Sequence, residues 1–426
     1  MNAFDKIIGY RPIKEELLQI CDMIRNSDVY KELGAKLPQG VLLYGDPGLG
    51  KTLMAKCFIE ECGLKTFTLR KNKGGDGFVE NITETFAAAR ENAPSIVFLD
   101  DMDKFANEDD NHCNADEYVA VQAGIDDVKG SGVFVLATVN EIRKLPRSLW
   151  RSGRFDRSIE VNKPSDKDAR EIIEYYLASK KVSQNINLDD LAAMISYSSC
   201  AELETILNEA AVRAGYARRE SIDMEDLVES VLRKQYDVPD NYMKVSNEEM
   251  KKTALHEAGH LTVCEALMEG SVGLASLRSS GRSAGSGFIH RCKDFERRPF
   301  HILVSLAGKA AVELYYADTV PSGCMTDLHN SMEMIRDGIS TNATLGMGLI
   351  DVETRSSPTM SDSLNSRSEA VVHAELERYM LMTKGILLKN RAFLEAAAAE
   401  LEKKETLLRS DIRAIRERVG VIPAAA

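Results

Sequence analysis

No uninterrupted apolar run in the sequence reaches the ~18 residues that a membrane-spanning helix needs. The opening MNAFDKIIGYRPIKEELLQI interleaves Asp, Lys, Arg and Glu with its apolar positions. Neither a secretory signal nor direct membrane insertion by this chain is therefore expected. The eight cysteines contain no Cys-x-x-Cys pair and no knuckle spacing, which suits reduced thiols in a cytoplasmic protein. Blocks of Lys and Arg are also missing, and the formal net charge is -12, so a nucleic-acid partner is not expected. No period of twenty to fifty residues recurs, which argues against a solenoid.

What is present describes an ordinary globular chain, with 44% hydrophobic and 28% charged residues. At 426 residues it exceeds one ordinary core, and two or three domains are expected. Residues 41–44 (VLLY), 66–69 (TFTL), 96–99 (IVFL) and 133–138 (VFVLAT) are short, β-rich apolar runs separated by helical patterns such as NITETFAAARENA. That alternation predicts a parallel sheet buried on both faces, ending near Pro164. From Lys167 to about Lys234 the pattern is helical throughout, as in a small bundle. YDVPDNYMKVS, residues 236–246, has the composition of a linker. The remainder reads as mainly helical, with a Gly/Ser-rich stretch (276–288) and a polar loop (354–366) as surface segments.

Two motifs carry chemistry. Gly45-Asp46-Pro47-Gly48-Leu49-Gly50-Lys51-Thr52 fits G-x-x-x-x-G-K-[ST] directly after the strand VLLY. Backbone N–H groups of such a loop wrap phosphate oxygens, Lys51 reaches the outer phosphates of ATP, and the Thr52 hydroxyl can hold Mg2+. SIVFLDDMD then delivers Asp100 and Asp101 at the carboxyl end of a buried strand, where such sheets bind ligands. Asp100 is expected near magnesium and Asp101 near the attacking water. FVLATVN ends on Asn140, within reach of a terminal phosphate, and WRSGRFDR offers Arg151 and Arg154 as arginine fingers for a neighbour's pocket.

The second motif is HEAGH, residues 256–260. On a helix, residues four apart are rotated by only ~40° and rise ~6 Å, so His256 and His260 can meet one ion. Glu257 can then serve as the base for hydrolysis assisted by Zn2+. A catalytic zinc site usually has three protein ligands. Asp327 in VPSGCMTDLHNSMEMIRDGI is the candidate, at the start of a helix whose apolar face carries Leu328, Met332, Ile335 and Ile339. Spacing alone does not separate it from Glu313 or His329.

Taken in order, FDKIIGY, KLPQGVLLYGDPGLGKTLMAKCF, APSIVFLDDMD, RSGRFDR, LETILNEAA, TALHEAGH, LAGKAAVEL, SGCMTDL and KETL resemble the FtsH-type AAA proteases, hexameric ATP-dependent zinc metalloproteases. The resemblance covers nearly the whole chain. It implies an α/β AAA+ ATPase core over 1–163, a helical lid over 164–238 and a mainly α-helical zinc metallopeptidase domain over 239–426. It also implies Asp327 as third zinc ligand, Arg151 and Arg154 as fingers, and Asn140 as the nucleotide sensor. Unfolded or damaged proteins would be pulled through a homo-hexameric ring into a peptidase chamber.

The chain departs from that family in three ways. The family normally begins with transmembrane helices, so this chain reads as a soluble member or a cytosolic part. Its second acid after the strand is usually Glu, and Asp101 is one methylene shorter, which predicts slower ATP hydrolysis. Its pore loop normally carries an aromatic followed by Gly. In RKNKGGDGFVEN the nearest aromatic, Phe78, falls late, so Phe78 and Val79 either grip substrate or pack locally. Two rival readings are an ATP-dependent unfoldase or chaperone with a vestigial peptidase site, and a nucleic-acid remodelling ATPase.

Overall fold

The computed structural model describes residues 2–71, 77–107, 115–150, 153–239, 247–278, 287–316, 323–340 and 362–424. In chain order these form α1 (Arg11–Arg25), α2 (Ser27–Glu32), β1 (Gly40–Tyr44), α3 (Lys51–Cys62), β2 (Lys65–Leu69), α4 (Phe78–Glu91), β3 (Ser95–Leu99), α5 (Ala115–Asp127), β4 (Val133–Val139) and β5 (Arg157–Glu160). There follow α6 (Asp166–Ala178), α7 (Leu188–Met194), α8 (Cys200–Tyr216), α9 (Met224–Tyr236) and α10 (Asn247–Leu267). The last elements are β6 (Val272–Ser276), β7 (Phe288–Arg291), α11 (Arg298–Tyr315), α12 (Gly323–Ser340), α13 (Asp362–Lys389), α14 (Arg391–Lys404), β8 (Thr406–Leu408) and α15 (Arg409–Val419). Two compact units result: residues 1–180 with 197–207, and residues 181–196 with 208–426.

In the first unit the strands run in the order β2-β3-β4-β1-β5, all parallel. Every residue of β3 and β4 is buried, as expected when helices cover both faces of a parallel sheet. The four sequence-predicted strands are all present. The fifth, β5, was missed because RSIE is an edge strand with only Ile159 buried, and edge strands tolerate polar residues that hide them from a hydrophobicity pattern. Phe78 opens α4 and sets its ring edge-on to Phe105 at 5.3 Å, which is the local-packing alternative, whereas Val79 is exposed.

In the second unit α10 is buried from Thr253 to Ala266, so it is wrapped on all sides rather than along one stripe. Gly259 makes that possible. A Cβ there would lie 2.6 Å from the Ala307 carbonyl oxygen and 2.6 Å from the Ala311 methyl on α11. The expectation of a mainly helical C-terminal part is met, and a small antiparallel sheet, ordered β7-β6-β8, is added to the helices. Its strands bracket the Gly/Ser-rich stretch. Ser276 at the beginning of that stretch is fully buried, and residues 279–286 lie outside the described residues. Residues 354–361 of the polar loop lie outside them too, and 362–366 begin α13. The expected linker starts later than its composition suggests, since Tyr236 still belongs to α9 and stacks on Phe288 at 4.4 Å. α7 also belongs to this unit. Gly273 on β6 abuts the Ala193 carbonyl, and Asp190 accepts hydrogen bonds from the Ser410 N–H (2.8 Å) and hydroxyl (2.6 Å).

Among the described residues no helix is long and apolar enough to cross a membrane.

Candidate nucleotide and metal sites

The P-loop spans the turn from β1 to α3. Gly45, Gly48 and Gly50 take positive φ, and a Cβ on Gly45 would fall 2.1 Å from the Val161 carbonyl oxygen, so only glycine fits there. Gly50 supplies the N-cap of α3 without a side chain to occupy it. The first-turn N–H groups are thus left for an anion, with the helix dipole behind them. Asp46, Pro47 and Leu49 complete the turn. Lys51 is buried, and its ammonium donates to the carbonyls of Gly45 (2.6 Å) and Asp46 (2.7 Å). Burial pulls its pKa down, while Asp101, Asp103 and Asp46 pull it back up.

β3 lies beside β4, and β4 beside β1, so their carboxyl ends bring the distant acids to the loop. Asp100 accepts a hydrogen bond from Thr52 Oγ1 (3.0 Å) and another from Thr138 Oγ1 (2.9 Å), which brings its carboxylate against the hydroxyl that follows Lys51. Asp101 adopts the left-handed conformation, with its N–H donating to Thr138 Oγ1 at 2.9 Å. Its carboxylate accepts from Lys104 (2.6 Å) and Asn140 (3.3 Å). Burial opposes ionisation of Asp101, but Lys104, Arg70 and Asn140 outweigh it and hold the carboxyl below its usual range.

Arg154 is engaged within its own chain. It donates to both oxygens of Asp126 (3.0 and 2.6 Å) and to the Ser148 carbonyl. Arg151 lies outside the described residues. Two residues that the motifs did not indicate also border the loop: a Cβ on Gly48 would meet Ser199 Oγ and Ala201 Cβ at 3.1 Å. Both sit at the start of α8, and neither belongs to a recognisable phosphate motif.

The second cluster is assembled from α10 and α12. His256 Nε2 and His260 Nε2 lie 3.1 Å apart, and Asp327 Oδ2 stands 3.1 and 3.2 Å from them. Tetrahedral ligands about zinc are about 3.3 Å apart when each bond is ~2.0 Å. The three side chains therefore fit such an ion in spacing as well as in donor type. Among the described residues Asp327 Oδ2 is buried with no hydrogen bond of good geometry despite these neighbours, as a carboxylate oxygen reserved for a metal would be. The two alternatives from spacing are elsewhere or uninvolved. Glu313 is held by Lys309 (2.6 Å) and Lys384 (2.8 Å), and His329 is not in the cluster.

Outer contacts fix the imidazoles. His260 Nδ1 is 2.7 Å from the Val304 carbonyl, which keeps Nε2 directed at the cluster. Cys324 Sγ is 3.5 Å from His256 Nδ1. Glu257 is buried, and burial raises its pKa, opposed by the two histidines and reinforced by Asp327. Sequence reasoning missed the glycines that shape this site. A Cβ on Gly308 would strike the His256 ring at 2.3 to 2.5 Å, and one on Gly287 would lie 2.6 Å from Glu257 Oε1. LAGKAAVEL carried the signal for Gly308 as a small-residue stripe. Gly287, in a glycine-rich stretch, had none.

Comparison with known proteins finds matches over both halves of the chain. The family model for the ATPase family associated with various cellular activities (AAA) matches residues 41–163, and that for peptidase family M41 matches residues 243–415. The ATP-dependent zinc metalloprotease FtsH 2 of Sphaerobacter thermophilus is 33% identical over 348 residues, covering 77% of this chain and 53% of the relative. FtsH 2 of Symbiobacterium thermophilum is 30% identical over 446 residues, covering 97% and 74%. FtsH of Ureaplasma parvum is 27% identical over 438 residues, covering 97% and 60%. The chain thus spans 53% to 74% of the length of these three relatives. An AAA ATPase joined to a zinc metallopeptidase implies ATP, Mg2+ and Zn2+ as cofactors. With the P-loop, the acids at the strand ends and the two-histidine, one-aspartate cluster all in place, this chain belongs to the FtsH-type family of AAA zinc metalloproteases.

Proposed function

We propose that the chain is an ATP-driven zinc endopeptidase that unfolds protein substrates and cleaves them. The observation that carries the reading is the meeting of His256, His260 and Asp327 at 3.1 to 3.2 Å from separate helices, with Glu257 buried beside them. His256, His260 and Asp327 hold the metal. Zinc, when bound, polarises a peptide carbonyl and makes water a competent nucleophile near neutral pH. Glu257 takes the proton from the attacking water and returns it to the leaving amine. β7 is an edge strand, and Gly287 at its start adjoins Glu257. A substrate that pairs with this edge would present its backbone to the base with little demand on side chains.

In the other half, residues 45–50 and Lys51 cradle the ATP phosphates, and Thr52 and Asp100 hold magnesium. Asp101 orients the water and Asn140 senses the terminal phosphate. Arg154, with Arg151, serves as a finger for a neighbouring copy after release from Asp126. The reading includes a ring of six copies, a division into ATPase core (1–163), lid (164–238) and peptidase (239–426), and unfolded or damaged proteins as substrates. A reducing, cytoplasmic setting suits the seven described cysteines, all free thiols.

The test is degradation of casein with and without ATP. Cleavage is expected to need ATP, to stop with a zinc chelator and to stop in Glu257→Gln. Persistent ATP-dependent unfolding with no cleavage under any metal condition would instead favour the unfoldase.

A further inference from the structure

A cavity of about 240 Å³ opens beside the C-terminal end of α10, away from the residues assigned above. Cations dominate it. α15 contributes Arg409, Arg413 and Arg416, spaced to share one helix face, and Lys293 joins them. Two carboxylates, Glu265 and Glu269, complete the charged lining. In a chain with a net charge of -12, such a local excess of positive charge calls for an explanation.

Arg416 is already satisfied, pairing with Glu265 Oε2 (3.1 Å) and Glu269 Oε2 (3.0 Å). Lys293 Nζ donates to the Glu269 carbonyl at 3.2 Å. Arg409 and Arg413 have no carboxylate partner among the described residues, although both line the cavity. The Arg409 guanidinium rests over Gly270, whose φ is +64°, and a Cβ there would come within 3.1 Å of Nη2. A second observation points the same way. The side chain of Glu265 is 2% exposed, and its Oε1 is buried without a hydrogen-bond partner among the described residues. Its other oxygen is occupied by Arg416 and by the Gly270 N–H at 3.2 Å. A buried acceptor left unmet is costly, and a ligand carrying a donor removes that cost.

We propose that this cavity binds a protonated oxyanion, namely hydrogen phosphate, either free or as the head of a small phosphomonoester. Arg409 and Arg413 take the ionised oxygens through their planar donor forks, and Glu265 Oε1 accepts the remaining O–H. Sulfate has the same shape and charge but no proton near neutral pH. It would leave Oε1 unmet and set it against an anion, so the site discriminates between the two ions.

Isothermal titration calorimetry of the full chain at about pH 6, where a phosphomonoester as well as inorganic phosphate retains a P–O–H, with Mg-ADP present to fill the P-loop, tests this with inorganic phosphate, glycerol 3-phosphate and sulfate as probes. Phosphate should bind saturably at one site per chain, with sulfate at least about tenfold weaker. The R409Q/R413Q double variant should raise the phosphate Kd by about tenfold or more, while its melting temperature and casein cleavage match the parent. Glu265→Gln should erase the preference over sulfate. Equal affinity for glycerol 3-phosphate assigns the site to monoesters, and weaker affinity assigns it to the free ion. Phosphate binding unchanged in the arginine double variant, sulfate binding as tight as phosphate in the parent, or no saturable binding at all would overturn the proposal.

Discussion

The two candidate sites of this chain are built on opposite plans. The nucleotide site is mostly backbone: a glycine turn whose N–H groups face outward at a helix start, with acids delivered by neighbouring strand ends. The metal site is mostly side chain, assembled from one buried helix and the first turns of another. A backbone site is specified by contiguous residues because its ligands are consecutive. A side-chain site depends on two helices meeting at the correct spacing, so the residues that hold the helices together matter as much as the ligands.

Separability is the strongest test of that contrast. Glu257→Gln should lower casein cleavage by ~10²–10⁴-fold, the usual contribution of a general base, with ATPase activity unchanged. Lys51→Ala should abolish ATP binding yet leave cleavage of a short unstructured peptide close to the parental rate. Loss of both activities in either variant would break the division between the sites.

Packing glycines provide the next test. Gly308→Ala drives a methyl into the His256 ring, so zinc affinity, read by competition with a chelator, should fall ~10–100-fold as for other supports of a metal ligand. Gly287→Ala presses on Glu257 instead. It should lower kcat by ~10²-fold, the cost of a small misplacement, with zinc content retained. Parental activity in both would show that the glycines are not needed to hold this geometry.

A smaller effect is expected at the backbone site. Asp101 is one methylene short of the family's usual Glu, and its carboxylate is already drawn to Lys104 and Asn140. Asp101→Glu should raise ATP turnover about tenfold, equal to ~1.4 kcal/mol of barrier. A phosphate-release assay showing no gain would remove the reach argument.

A last effect, on stability rather than turnover, concerns the sheet beside the metal site. Burial lowers the pKa of His290 to about 4, and its Nε2 lies 2.8 Å from Ser196 Oγ. Because the folded pKa lies below the unfolded value, the unfolded chain binds more protons between these two pH values. Stability is therefore intact above about pH 6.5 and is lost as pH falls toward 4, by up to ~3 kcal/mol. Urea unfolding across that range should show a shallower decline in His290→Gln. An unchanged slope would place the acid sensitivity elsewhere.

Much of this was legible in advance, and the exceptions have physical causes. The strands β1 to β4 were visible because a doubly covered sheet demands continuous apolar runs. β5 escaped because one buried side chain in four leaves almost no pattern. β6 to β8 escaped because they are short and lie among helices, where period-two alternation is too brief to register. Asp327 could be nominated from its position at the start of a helix, but Glu313 and His329 were equal until the fold turned Glu313 toward Lys309 and Lys384.

The sequence by itself determined the chemistry available: a phosphate loop, a strand ending in two acids, and two imidazoles one helical turn apart. Each is local, because residues joined by a few peptide bonds have nearly fixed relative positions. Only the tertiary structure decided which carboxylate completes the metal cluster, which glycines let the rings approach it, and which arginines beside α10 are without carboxylate partners among the described residues. Those choices depend on packing between segments far apart in the chain, where side-chain volume and close contact, rather than spacing, set the distances.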